Sequence, residues 1–196
     1  MWHNNPGCHE RTLGLPVTNY QTNDQEQGRE RQQGREFVTA RTLDAPRERV
    51  WQALTEPQRM HEWWPPKGFT MIAAKLDLRP GGTFHCGMRS VEGYKMWGRF
   101  VYREVAPAER LLFINSFSNE AGDVTRHPIV PTWPLEMLTT VELEDEADGK
   151  TRLTVRSSPH NATETERKTF DSSHVAMQAG WASTLDQLAA YLARAN

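Results

Sequence analysis

One apolar stripe near the C-terminus restricts the fold more than any other feature of this chain. Phe170, His174, Met177, Trp181, Leu185, Leu188 and Leu192 follow one another at steps of three and four residues. At 3.6 residues per turn they share one face of an α-helix. From Phe170 to Leu192 that helix is roughly 33 Å long, at about 1.5 Å per residue. Ser173, Gln178, Ser183, Asp186, Gln187 and Arg194 fall on its wet side. Such a rod needs an apolar surface of matching length to lie on, and the stretch from Phe69 to Ser157 supplies strands only.

The strands are read from alternation and punctuation. Arg35 to Leu43 is rich in β-formers (Phe37, Val38, Thr39, Thr42). Asp44-Ala45-Pro46 ends it, and Pro46 suits the first turn of a short helix carrying Val50, Trp51 and Leu54. Glu56-Pro57 starts a second short helix with Met60, Trp63 and Trp64, stopped by Pro65-Pro66. Strands then follow at Phe69–Leu78, Thr83–Arg89 (Phe84, Cys86 and Met88 on one side), Tyr94–Val105, Leu111–Phe117, Met137–Leu143 and Thr151–Ser157. Pro80-Gly81-Gly82 and Asp148-Gly149 mark turns. Leu111–Phe117 is apolar on both faces, as a central strand requires. No strand–helix–strand alternation occurs, so an antiparallel sheet is expected. Ser118 to Pro134 is a long irregular stretch with three prolines and Trp133, the kind of loop that is often functional.

Composition narrows the classes. A net charge of -2 in 196 residues gives no basic field for nucleic acid or anionic lipid. No apolar run approaches the roughly 18 to 20 residues that span a bilayer. The first twenty residues lack a charged segment followed by an apolar core, so no signal peptide and a cytoplasmic location are expected. Cys8 and Cys86 are expected to be reduced. Residues 1–34 read as a mostly disordered polar extension: from Thr18 to Glu36 the only large apolar residue is Tyr20. Residues 35–196 read as one domain.

Several signposts occur together: Asp44-Ala45-Pro46 with Val50-Trp51; Trp63-Trp64-Pro65-Pro66 before Gly68-Phe69-Thr70; Arg79-Pro80-Gly81-Gly82-Thr83-Phe84; Gly98; Pro107 to Leu111; Gly180-Trp181 with Leu185-Asp186 and Tyr191-Leu192. In this order the chain resembles the START-like (SRPBCC, Bet v 1-like, helix-grip) superfamily, and within it the branch of homologues of the activator of the heat-shock-protein-90 ATPase. The resemblance covers about residues 35 to 194. It implies an α+β helix-grip fold: a curved antiparallel β-sheet wrapped around a long C-terminal α-helix, with two short helices after the first strand and a cavity between helix and sheet. The activators that name the branch carry a further folded domain that this sequence does not match, so a stress-response chaperone partner is not the leading expectation. The family has no fixed catalytic motif to carry over.

The residues themselves point the same way. No HExxH, no histidine pair at i, i+4, no Gly-x-Ser-x-Gly, phosphate loop or dinucleotide fingerprint occurs, so no metal, no cofactor and no catalytic residue is assigned. His85 and Cys86 are neighbours on a strand and point to opposite faces. The aromatic and methionine content is the stronger signal. Trp64 and Trp133 suit a cavity rim; Met96, Met137 and Met177 suit an adaptable wall; His174, Tyr94 and His85 are candidate polar anchors; Phe117 and Trp181 complete the candidate ligand-binding set. Glu92, Arg99 and Glu136 are further candidates whose facing the strand pattern leaves open. The leading expectation is a binding protein for a small, largely apolar organic molecule. The alternatives are a polyketide cyclase or aromatase-like enzyme using the same cavity, and a co-chaperone-like module. A homodimer is compatible with each.

Overall fold

The computed structural model describes residues 35–194. The polar extension expected over residues 1–34 lies outside them. The order of elements is β1 (Phe37–Leu43), α1 (Arg47–Thr55), α2 (Pro57–Trp63), β2 (Phe69–Leu76), β3 (Thr83–Ser90), β4 (Lys95–Ala106), β5 (Arg110–Ser118), β6 (Val124–Thr125), β7 (Glu136–Glu146), β8 (Lys150–His160), α3 (Glu164–Ser172) and α4 (His174–Arg194). The strands form one antiparallel sheet in the order β1-β8-β7-β5-β4-β3-β2, with β6 pairing to β5. β5 is interior, as its two apolar faces require.

The sheet curves because its ladders are interrupted. Register shifts between Met71 and Ala73 in β2, and between Tyr102 and Glu104 in β4, bend both strands. The turn between β2 and β3 closes tightly: a side chain at Gly82 would put its Cβ 2.1 Å from the Asp77 carbonyl oxygen. Gly81 N–H donates to the Tyr102 carbonyl at 2.9 Å, which ties this turn to β4. Asp148 and Gly149, at φ 61° and 70°, make the turn between β7 and β8, with the backbone that favours Asp-Gly there.

The expected single helix from Phe170 to Leu192 is two helices that meet at Ser173. The Ser172 and Ser173 hydroxyls both donate to the Thr169 carbonyl, at 2.9 and 2.7 Å. The Ser173 N–H reaches Phe170 O at 2.9 Å, closing the last turn of α3 tightly. Serines that bond nearby backbone compete with helix continuation. The apolar stripe survives the break: Phe170, Leu185, Leu188 and Leu192 are buried, while His174, Met177 and Trp181 are partly so.

α1 and α2 close one end of the molecule. Trp63 Nε1 donates to Ala53 O at 3.0 Å and fixes α2 against α1. Gln187 Nε2 on α4 donates to Trp63 O and Pro65 O, both at 2.9 Å. Arg49 Nη2 donates to Leu192 O at 2.7 Å, capping the end of α4. Around these ties Leu43, Val50, Phe84, Leu153, Val155, Leu188 and Leu192 form the main core. A smaller core of Phe37, Met137 and Phe170 lies under α3.

Candidate functional site

The cavity follows from which strand positions face α4. Register brings inward-facing residues into rows across the sheet: Leu111, Val141 and Val155 in one, Phe113, Thr139 and Ser157 in the next, Asn115 and Met137 in the third. The first row is packed solid. Over the second and third rows the sheet stands away from the first half of α4, leaving a cavity of about 530 Å³. Phe100, Phe113, Phe117 and Met137 form its apolar floor; Met177 and Trp181 form its roof; Trp64 and Pro66 from the segment after α2, and His127 and Trp133 from the long loop, form its sides. A second lobe of about 210 Å³ shares Trp64, Phe100, Asn115 and Trp133 with the first and extends to Cys86 and Met96.

The aromatic walls brace one another. Phe100 stacks on Phe113 at 4.5 Å between centroids, and Trp64 stands edge-on to Phe100 at 5.9 Å and to Trp181 at 6.5 Å. Contacts of this kind contribute about 0.5–1.5 kcal/mol beyond area burial. At the mouth, Gly180 on α4 faces open space: a Cβ there would meet nothing within 4 Å. The loop that carries His127 and Trp133 is anchored to α3. The Arg126 guanidinium bonds the Glu166 carboxylate, the Thr169 hydroxyl donates to Thr132 at 3.0 Å, and Trp133 packs on Phe170. Burial pushes the Glu166 carboxyl up, but Arg126, the Thr163 N–H and the Thr163 hydroxyl together hold it below the usual carboxylate range. Those Thr163 bonds make a capping box at the start of α3.

Among the described residues, no Asp, Glu, Lys or Arg lines the main cavity. Its interior polar groups are Asn115, Thr139, Ser157 and His127, with the Ser183 and Thr184 hydroxyls toward the mouth. The Thr139 hydroxyl donates to Asn115 Oδ1 at 2.7 Å and shares a 3.0 Å bond with Ser157 Oγ. His127 Nδ1 accepts the backbone N–H groups of Ile129 and Val130, each at 3.1 Å. Burial lowers the His127 pKa from its ordinary value, so the ring is neutral near pH 7. Cys86 reaches only the smaller lobe, and burial pushes its thiol up to about 12, which keeps it protonated and unreactive. Among the described residues, no three His, Cys, Asp or Glu side chains are grouped to hold a metal ion.

Of the residues expected at the site, Trp64, Phe117, Trp133, Met137, Met177 and Trp181 line the main cavity, and Met96 lines the adjoining lobe. Three expected polar anchors do not. His85 sits on the outer face of β3, stacked on Trp97 at 5.1 Å and bonded to Asn119 O at 3.2 Å. Strand alternation puts it opposite Phe84 and Cys86. Tyr94 precedes β4 in a turn and is 47% exposed. His174 is held edge-on by Phe37 and Phe170, at 5.6 and 4.9 Å, under α3, and its buried Nε2 has no partner among the described residues. Glu92, Arg99 and Glu136 also lie outside the lining. The sequence reading missed Asn115, Thr139 and Ser157. Thr139 alternates with Met137, Val141 and Leu143 on one side of β7, and its polarity among those apolar neighbours is the signal that marks the hollow.

The fold has counterparts among known proteins. A family model described as Activator of Hsp90 ATPase homolog 1-like protein matches residues 44–193. The crystal structure of protein NE0264 from Nitrosomonas europaea is 29% identical and aligns over 81% of this chain and 94% of its own, with a TM-score of 0.62. Protein CV1439 from Chromobacterium violaceum is 25% identical over 80% of this chain and 96% of its own, with a TM-score of 0.59. A solution structure from Arthrobacter aurescens, 23% identical, covers 81% of this chain and 86% of its own with a TM-score of 0.66. A comparison with curated proteins gives no match.

Proposed function

The chain belongs to the Activator of Hsp90 ATPase homolog 1-like family, and from that membership and the geometry of its hollow we propose that it binds a small, largely apolar organic molecule between the sheet and α4. The observation that carries this reading is a cavity of about 530 Å³ walled by Phe, Trp and Met side chains and free of formal charge. This size and lining suit a small-molecule site. Apolar burial supplies affinity at about 25 cal/mol per Å², before the costs of association. A cyclase-type reaction needs a general acid–base group within reach of its partner. Among the described residues His127 is the one histidine in the main cavity's lining; it has both loop N–H groups on Nδ1 and no Asp, Glu, Lys, Arg, Cys or Tyr beside it in that lining, which favours binding over catalysis.

Native mass spectrometry and tryptophan fluorescence against a panel of neutral aromatic and lipophilic compounds test the proposal. One ligand per chain, with micromolar affinity and altered emission, is expected. Gly180→Leu, placed in open space at the mouth, should weaken binding tenfold or more. It should leave folding intact, since leucine is a better helix former than glycine. No binding below millimolar across the panel contradicts the proposal.

A further inference from the structure

The cavity's polar groups are specific in what they leave unmet. The Thr139 hydroxyl proton goes to Asn115 Oδ1 at 2.7 Å, so the Ser157 hydroxyl donates to Thr139 in turn at 3.0 Å. Thr139 and Ser157 thus spend their protons within this group of three. What remains is the Asn115 side-chain NH2, which makes no hydrogen bond among the described residues and lines both lobes of the cavity. His127 is constrained in the same sense. Its Nδ1 accepts two backbone N–H groups, so the ring proton sits on Nε2, and that edge of the ring can only donate. At the mouth, the Thr184 hydroxyl proton is already given to Gly180 O at 3.1 Å.

The interior therefore offers free protons and no charge. Unpaired buried N–H groups cost more than under-used oxygen lone pairs. Water can accept these bonds. A ligand that displaces this water without replacing its bonds loses affinity. The geometry points to a ligand that is neutral, aromatic or polycyclic, and carries a hydrogen-bond acceptor of the carbonyl type, with Asn115 as the residue that selects it and His127 as a second donor. This rests on the reading of the hollow as a ligand site, and it names the chemistry that site takes.

A matched pair of probes separates the two ideas. Fluorene and 9-fluorenone differ by one group, a methylene against a carbonyl. In the unaltered full-length protein, 9-fluorenone should bind about tenfold more tightly than fluorene. Asn115→Leu should bring the two affinities within about twofold of each other while fluorene still binds. Thr139→Val, which frees the Asn115 amide from its fixed orientation, should reduce the ratio to an intermediate value. Fluorene-2-carboxylate should bind more weakly than 9-fluorenone, because no Lys or Arg among the described residues lines the cavity. Equal affinities for fluorene and 9-fluorenone in the unaltered protein overturn the inference and leave the apolar site standing. So does a preference that Asn115→Leu does not change, or tighter binding of the carboxylate. If neither neutral probe binds, the site itself fails along with the inference.

Discussion

The two halves of α4 lie over the same sheet and meet opposite environments. The C-terminal half presents Leu185, Leu188 and Leu192, each at most 3% exposed. They press on Leu43, Val50, Leu153 and Val155, and the void left among these layers is only about 30 Å³ and apolar. The N-terminal half presents Met177 and Trp181 over about 530 Å³ of open space. The helical spacing of the stripe is continuous across both. What changes is the floor: a row of Leu111, Val141 and Val155 under one half gives way to Phe113, Thr139 and Ser157, then Asn115, under the other. Periodicity decides which face of a helix turns inward. Whether that face meets atoms or a hollow is decided by the size and polarity of the residues opposite.

Truncation is the largest perturbation that separates the halves. Leu188→Ala, at 0% exposure in the solid half, should cost about 2–5 kcal/mol of folding stability. Met177→Ala already borders a cavity, so it leaves little new void and should cost about 1 kcal/mol or less, while weakening ligand binding. Urea denaturation of both variants checks this; equal losses would show that the two halves are packed alike.

A smaller effect sharpens the comparison through pH. Burial lowers the His127 pKa from 6.5, so the folded state holds this proton less readily than the unfolded chain. Stability is therefore fully present above about pH 6.5 and declines as pH falls from there towards the folded pKa. Protonation of Nδ1 also removes the acceptor for the Ile129 and Val130 N–H groups. The ring packs against Phe117 and Trp133, and its neighbour Arg126 is paired with Glu166. His127→Asn should flatten the decline in denaturation midpoint between pH 7.5 and 5.5 relative to the unaltered protein. Parallel slopes in the two proteins would show that His127 does not contribute.

Much of this was legible in the order of residues. Alternation in β7 and β8, the Asp148-Gly149 turn, the helix-stopping Pro65-Pro66 and the leucine spacing each act over a few residues, and each appears as read. The break at Ser173 is local too, but it depends on serine hydroxyls choosing the Thr169 carbonyl, which spacing alone does not report. His85 illustrates a different failure. The alternation that groups Phe84, Cys86 and Met88 already sends it outward, and its chemistry drew it into the candidate set against that geometry. Asn115, Thr139 and Ser157 come from three strands. Their hydrogen-bonded row exists only once β5, β7 and β8 pair in register, so no single stretch of sequence displays it.

The central claim is that the space beneath the first half of α4 receives a ligand. Intermolecular NOEs between 9-fluorenone protons and 13C-labelled methionine methyls test it most directly. The account predicts cross-peaks to Met137 and Met177, which line the cavity from floor and roof, and none to Met60 or Met71, buried in the solid core. Saturable binding with the Met137 and Met177 methyls unmoved would contradict it.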